Sequence, residues 1–184
     1  MNGAQTQTET TPFWRFSLHF YRQPGVSDAC IMLQDDCGVD VNLLLFLLWL
    51  ADGERLLSAE EVRKLDDRVR DWRILTIIPI REVRRKLKAA RTLVDPGKQE
   101  VFRNKMKTIE LEAERLQQEA LYALAHSGPL GKRAAPSAAA RSNVSAYERI
   151  MNVTFPRSAL DVLLGAFDPL EHGRAAAALA AARE

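Results

Sequence analysis

The chain has 184 residues, of which 47% are hydrophobic and 27% are charged, and its formal net charge is +2. This composition is that of a globular protein and excludes a wholly disordered chain, while the small net charge excludes binding to a polyanion through overall charge alone. The length leaves room for one domain with extensions.

Residues 1–11 contain neither the basic segment nor the apolar segment of a secretory signal, and we interpret them as a disordered leader. Thr11 followed by proline is typical of a helix start, because proline is favoured at the first helical position. The first helix is therefore predicted from Pro12 to about Tyr21.

Two cysteines, Cys30 and Cys37, lie in a second predicted helix over residues 26–37. Seven residues of helix separate their Cα atoms by about 10 Å, which exceeds the about 7 Å that a disulfide spans. We therefore predict two free thiols, which favours a cytoplasmic location. Together with His19, the two cysteines are the candidate soft metal ligands in the N-terminal half of the chain. Their spacing does not match a zinc site, so we predict no metal.

The stretch from Asp40 to Gly53 predicts a helix that is buried on nearly all sides. Asp40 can cap it and Gly53 can end it, and the eleven residues Val41–Ala51 are apolar apart from Asn42. A bilayer requires about 20 apolar residues, so we expect this helix to form the centre of a soluble bundle that does not associate with a membrane.

Two further helices complete a predicted helical domain over residues 12–91. Ser58 and Glu61 form a capping box ahead of an amphipathic helix, and Pro79 interrupts that helix before an apolar stripe resumes. The tryptophans are interpreted as core anchors, with an aromatic ligand cage as the alternative: Trp14, Trp49 and Trp72.

A long amphipathic helix is predicted over residues 97–126. Its apolar residues alternate at spacings of four and three, and its five basic and five acidic residues cancel, a pattern that suits a helical hairpin or a short coiled coil. We expect it to fold back on the bundle or to pair with another chain. The stripe consists of Phe102, Met106, Ile109, Ala113, Leu116, Ala120 and Ala123.

The last part of the chain is predicted to be loosely organised. Residues 127–142 are rich in alanine, proline, glycine and serine, which indicates a flexible linker, and residues 143–184 are expected to be a weakly structured helical tail. No strand pattern persists. The predicted fold class is therefore all-α: a compact bundle of about five helices around a buried central helix, with a longer C-terminal helix and a flexible tail.

A distinctive set of residues lies between positions 13 and 88. It comprises Phe13-Trp14-x-Phe16-Ser17, Tyr21, Pro24-Gly25-Val26, Cys30, Leu33-Gln34, Gly38-Val39-Asp40-Val41-Asn42-Leu43-Leu44-Leu45-Phe46, Trp49, Trp72, Pro79-Ile80-Arg81 and Arg84-Arg85. This pattern resembles a small family of bacterial, mainly proteobacterial, proteins known only as a domain of unknown function. The resemblance implies an all-helical domain and gives no activity, cofactor or catalytic residue.

A basic face follows Pro79. Four cations share one side of the predicted helix at i, i+3, i+4 and i+7: Arg81, Arg84, Arg85 and Lys88. Such a face suits phosphate, on a nucleotide or on nucleic acid. The alternatives are a solvated face near a helix C-terminus and a contact with an acidic protein. The absence of interleaved aromatic residues weakens the case for single-stranded nucleic acid.

A polar set borders the apolar helix: Gln34, Asp40 and Asn42. Polar groups beside a core must form hydrogen bonds, so we expect Asp40 to cap its own helix and the two amides to tie the loop near Gly38 to another helix. A small-ligand pocket bordered by these three residues is the alternative.

The sequence contains no recognised catalytic motif. Its three histidines lie in separate segments, and no glycine-rich phosphate loop is present. We therefore predict no catalytic residue and no cofactor, and favour a non-catalytic, cytoplasmic module for protein–protein interaction or self-association. The alternative is a phosphate-ligand or nucleic-acid binder that uses the basic face, and an enzyme with an unrecognised site is a more distant one.

Overall fold

The protein is described by a computed structural model over residues 11–89 and 94–167. A π-helical turn, Arg73–Ile77, joins the fourth and fifth helices, and residues 157–167 are also helical. The all-α fold class is confirmed. The helices are α1 (Pro12–Tyr21), α2 (Val26–Cys37), α3 (Val41–Asp52), α4 (Ala59–Trp72), α5 (Ile78–Ala89), α6 (Pro96–His126) and α7 (Pro136–Met151).

Helix α3 forms the centre of the bundle. Nearly all of its side chains are buried, and it packs against α7, α6 and α1. Asp40 caps it by accepting hydrogen bonds from the backbone amides of Asn42 (3.0 Å) and Leu43 (3.2 Å). Each fully buried leucine contributes about 1.5–3 kcal/mol, so this one helix accounts for much of the hydrophobic stabilisation.

The chain from α4 to α5 is continuously helical around Pro79. Proline has no N–H and its ring crowds the carbonyl four residues earlier, here that of Leu75. The π-helical turn before Ile78 widens the backbone at this point. Within this turn Leu75 is 77% exposed. Trp72, just before it, is 39% exposed and is not among the core residues, so the prediction that Trp72 anchors the core is wrong.

Helix α7 corrects the prediction of a flexible linker over residues 127–142 and of a weakly structured tail from residue 143. It begins at Pro136 and packs along α3, where Ala139, Ala140 and Ala146 are fully buried. Composition alone was misleading, because alanine is both a linker residue and the strongest helix former, and its small side chain allows close packing. Residues 157–167 also contribute buried side chains to the core: Ala159, Leu163 and Phe167.

A short antiparallel pairing joins the loops before α4 and before α7. Strand β1 (Arg55–Leu56) pairs with β2 (Lys132–Arg133), a feature that the sequence did not predict. Two-residue strands are too short to produce an alternating pattern. Most of the predicted leader (residues 1–10) and the last part of the predicted tail (168–184) lie outside the described residues.

Candidate interaction surface and polar cleft

Helix α6 turns a largely polar face toward the bundle. Its buried side chains include Glu110, Ala113, Gln117 and Leu121, which follow one another at helical spacing. It packs against α5 as an antiparallel hairpin, since Arg81 meets Glu110 near one end and the side chain of Gln99 donates to the Leu87 carbonyl at the other. Glu110 and Gln117 can be buried because charged and amide partners on α5 and at the start of α3 form hydrogen bonds with them.

Most of the apolar stripe predicted on α6 lies outside its buried face, although its member Ala113 is buried. Phe102, Ile109 and Leu116 are 52%, 47% and 48% exposed. Successive members are seven residues apart, which is about two helical turns, so the three side chains form a line along one side of the helix. We call these three residues the apolar line. The apolar periodicity of α6 is real, but it does not reveal that the polar side chains beside the stripe face the bundle.

A polar cleft of about 250 Å³ lies beside the other face of α6. It is bounded by the end of α2, the start of α3, the π-helical turn, α5 and α6. It brings together five of the seven residues that the sequence analysis proposed for a site: Gln34, Asp40, Asn42, Arg81 and Arg85. Its charged lining comprises three arginines and four carboxylates: Arg73, Arg81, Arg85, Asp35, Asp40, Glu82 and Glu114.

Asp40 is the hub of the hydrogen bonds in the cleft. Besides capping α3, its carboxylate accepts from Arg73 Nη1 at 2.8 Å and from the side-chain amide of Gln117. Arg73 also donates to Asp66 Oδ1 at 2.9 Å. Burial disfavours the charged guanidinium, but the two carboxylates outweigh it, and the pKa of Arg73 is raised. Arg73 and its partners thus tie the π-helical turn to the start of α3.

The amide of Asn42 extends this network to α6. Its Nδ2 donates to Gln117 Oε1 at 3.3 Å, and its Oδ1 accepts from Gln118 Nε2 at 2.8 Å. Gln34, by contrast, donates only to the neighbouring Asp35 at 3.2 Å. The expected tie between the start of α3 and another helix is present at Asn42, while Gln34 lies at the exposed rim of the cleft.

Three of the four cations of the predicted basic face are paired with carboxylates of the same chain. Arg81 donates to Glu110 (2.7 Å) and Glu114 (2.6 Å), and Arg84 donates to Glu110. Arg85 donates to Asp35 on α2 at 2.6 Å. Lys88 is exposed. Arg84 and Lys88 do not line the cleft, so the four cations do not act as one positive surface.

The two glutamates that face Arg81 differ in protonation behaviour. Burial acts to raise the pKa of Glu110, but the hydrogen bonds from Arg84 and Arg81 outweigh it and the pKa is lowered. For Glu114, burial is the dominant influence and raises the pKa, with Arg81 opposing it and the Glu110 charge adding to it. The first carboxylate therefore stabilises the hairpin mainly in its charged form.

Three residues of the cleft, and one acidic partner of its arginines, were not predicted as site residues: Arg73, Glu114 and Gln117 in the cleft, and Glu110 beside Arg81. The acidic residues of α6 were predicted only to cancel its basic residues in charge. The only available signal was the seven-residue spacing of Glu110 and Gln117, which places both on one side of the helix.

The structure also bears on metals and membranes. In the part of the chain that the structure describes, no group of three or more histidine, cysteine, aspartate or glutamate side chains is arranged to hold a metal ion. Burial raises the pKa of the Cys30 thiol to about 12, so it is packed as a small hydrophobic group. None of the helices within residues 11–89 and 94–167 combines the length and apolar character needed to cross a bilayer.

Residues 12–121 match the family model described as a protein of unknown function (DUF2390). The match extends beyond the residues 13–88 of the predicted resemblance and includes most of α6, with both its buried polar face and its apolar line. Neither the curated proteins nor the solved structures contain a significant match to the chain.

Proposed function

Because the chain belongs to the DUF2390 family, whose description implies no activity, we propose from its surface that it is a non-catalytic module for protein–protein association. The observation that carries this proposal is the apolar line, whose three side chains are about half exposed and evenly spaced on one helix. Single exposed apolar residues are normal on a protein surface. A line of them at seven-residue spacing is typical of a helix that pairs with a partner.

The packing of α6 supports this interpretation. Its inward face is fixed to α5 and α3 by ion pairs and amide hydrogen bonds, so the helix presents the apolar line from a rigid support. A partner that covers these side chains removes apolar surface from water at about 25 cal/mol per Å². A cytoplasmic location is part of the proposal and is supported by the two free thiols, Cys30 and Cys37.

The test compares two exposed positions of α6 in the full chain. Ile109→Glu places a charge in the apolar line, whereas Leu111→Glu changes a residue of similar exposure (53%) on the opposite side of the helix. Affinity purification from cells that express the protein natively, together with light scattering of the purified chain, is expected to show an association that Ile109→Glu abolishes and Leu111→Glu retains. Identical masses and identical co-purifying proteins for all three chains would contradict the proposal.

A phosphate-bearing ligand in the polar cleft is the second candidate. It is favoured by one observation, namely that Arg81 and Arg85 share this cleft with Gln34, Asp40 and Asn42. The cleft holds four carboxylates against three arginines, so a phosphate has to displace carboxylates from their arginines. Arg85 is the cation most available for this, since its side chain is 46% exposed and its partner Asp35 is 38% exposed.

The variants Arg85→Glu and Lys88→Glu test this candidate without disturbing the hairpin, whereas changes at Arg81 or Arg84 also remove the partners of Glu110. A phosphate-dependent ligand is expected to bind less tightly as salt rises and to lose affinity in Arg85→Glu. Binding of nucleotides or short oligonucleotides that is unaffected by both substitutions would exclude the basic face.

A further inference from the structure

The apolar line of α6 is flanked by a second line of charged residues with the same seven-residue spacing. It consists of Lys98, Lys105, Glu112 and Glu119, and we call it the charged line. Lys105, Glu112 and Glu119 each follow a member of the apolar line by three residues. Lys98 follows position 95, where one further repeat of the apolar line would fall. A step of three residues places the charged line about 60° around the helix from the apolar line. Lys98, Lys105 and Glu112 are exposed and Glu119 is partly exposed.

The order of signs along the charged line is uneven. Both lysines lie in the N-terminal half of the line, and both glutamates lie in the C-terminal half. In the described part of the chain, Lys98, Lys105 and Glu112 form no ion pair, and Glu119 pairs only with Arg115 at 3.0 Å on its own helix. The charged line is therefore not needed to hold α6 on the bundle.

A second α6 helix matches both lines when it runs antiparallel. If a twofold axis passes by Ile109, Phe102 of one copy faces Leu116 of the other, because these positions are equally far from Ile109. The same axis brings Lys105 beside Glu112 and Lys98 beside Glu119, each pair offset along the helices by one residue, or about 1.5 Å. In a parallel twofold pair the two charged lines instead lie on opposite sides of the contact and do not meet, so only the antiparallel arrangement makes use of their charges.

We propose that the partner of α6 is a second copy of this chain, bound antiparallel through the apolar line with Ile109 on the twofold axis. This inference rests on the proposed function as an association module. The apolar line supplies most of the affinity, since exposed ion pairs contribute little individually. The charged line sets the orientation, as flanking charges do in paired helices.

The first experiment measures the dimer dissociation constant of the full chain by analytical ultracentrifugation. Ile109→Glu places two carboxylates against each other on the axis, and the dissociation constant is expected to rise about thirtyfold or more, as for a central contact. Leu111→Glu, which adds the same charge on the opposite side of α6, is expected to leave it unchanged. A wild-type chain that stays monomeric at the highest soluble concentration overturns the proposal.

The second experiment exchanges charges at exposed positions that the fold does not use. Lys105→Glu and Glu112→Lys each create like-charge pairs and are expected to weaken the homodimer about tenfold. The double variant restores opposite charges and is expected to recover wild-type affinity. An equal mixture of the two single variants is expected to form heterodimers, because every pair between them is then complementary. Independent, additive effects of the two substitutions overturn the antiparallel arrangement.

The third experiment reads the orientation by oxidative cross-linking in a Cys37→Ser background, which leaves Cys30 buried. Ile109→Cys is expected to cross-link to itself, and Phe102→Cys is expected not to, because the two copies of position 102 then lie about 21 Å apart along the helices. Cross-linking of both variants indicates a parallel pair and overturns the proposal.

The outcomes separate this inference from the proposed function. A monomeric wild-type chain that captures a different protein in cells, with capture lost in Ile109→Glu and kept in Leu111→Glu, overturns the second copy and leaves the association module standing. If Ile109→Glu retains both self-association and capture of the other protein, the second-copy inference and the proposed association module are both overturned.

Discussion

The hydroxyl of Tyr147 accepts a hydrogen bond from the backbone amide of Asp40 at 3.0 Å, across 107 residues of sequence. Tyr147 lies on α7, outside the residues 12–121 that match the family, and Asp40 begins the central helix within them. Both groups are buried, and the surrounding burial raises the pKa of Tyr147, so the hydroxyl stays neutral. Helix α7 is thus part of the structure that positions the polar cleft.

Replacing Tyr147 with phenylalanine is expected to destabilise the protein by about 1–3 kcal/mol. The substitution keeps the ring but leaves the Asp40 amide buried without an acceptor, and an unsatisfied buried donor costs about that much. Urea denaturation measures the loss. Tyr122→Phe is the matched control, because no hydrogen bond of the Tyr122 hydroxyl is present in the described structure, and its equal destabilisation would argue against a specific role for Tyr147.

Asn143 on α7 is expected to tolerate no acidic replacement. Its side-chain amide is fully buried, donates to the carbonyls of Leu47 (3.1 Å) and Arg55 (3.0 Å), and accepts from the Leu57 amide at 2.8 Å. Asn143→Asp turns a double donor into an acceptor facing two carbonyls.

A loss of about 3 kcal/mol or more is expected for Asn143→Asp, because several buried groups lose partners at once. Thermal unfolding followed by circular dichroism provides the measurement. Asn104→Asp, at an exposed position of α6, loses only a surface hydrogen bond to Glu100 and is expected to cost about 1 kcal/mol or less. Wild-type stability of Asn143→Asp would refute the hydrogen bonds assigned to α7.

The contribution of Glu110 to stability is expected to depend on pH. Its folded-state pKa lies below its ordinary value of 4.5, so the folded protein favours the charged form. The stabilisation is fully present above pH 4.5 and is lost as the pH falls through the lower folded-state value. Glu110→Gln is therefore expected to cost about 1–3 kcal/mol at neutral pH, and the difference from wild type is expected to shrink in acid.

Glu114 is expected to behave in the opposite way and serves as the control for Glu110. Its folded-state pKa is raised, so protonation favours the folded state and stability gains as the pH falls through that value. At neutral pH, Glu114→Gln is expected to cost less than Glu110→Gln. Urea midpoints at neutral and acidic pH measure both variants, and parallel pH curves for the two would contradict the difference between the two carboxylates.

Gly131 is expected to be indispensable at the pairing of β1 with β2. Its φ is +67°, and a Cβ atom built there lies 2.6 Å from the backbone oxygen of Leu56. Alanine at this position has both a strained backbone and a clash with main chain that cannot rotate away. Gly131→Ala is expected to lower the free energy of unfolding by about 2 kcal/mol or more.

Gly128→Ala is the matched control for Gly131, because nothing lies within 4 Å of a Cβ atom at that position. It is expected to remain within about 0.5 kcal/mol of wild type. Chemical denaturation of both variants decides the point, and equal stabilities would show that the close approach to Leu56 is not required.

Sequence periodicity predicted the helices whose burial depends only on residues within the same segment. The helix from Val41 to Asp52 is apolar on every side, so no tertiary information is needed to place it in the core. Caps at Asp40 and Ser58 fixed helix starts for the same reason, since the donors and acceptors lie within three residues.

The orientation of α6 and the packing of α7 were decided only by the tertiary structure. On α6 two faces compete for the bundle, and the polar one is buried because Arg81, Arg84 and Asp40 lie opposite it. These partners are distant in sequence, so a pattern within α6 alone cannot reveal them. The alanines of α7 are buried because α3 offers a surface that accepts close backbone approach, which composition does not record. The sequence by itself thus predicted helices α1 to α6 and identified the central one, whereas long-range packing revealed α7 and long-range polar partners determined which face of α6 is left exposed.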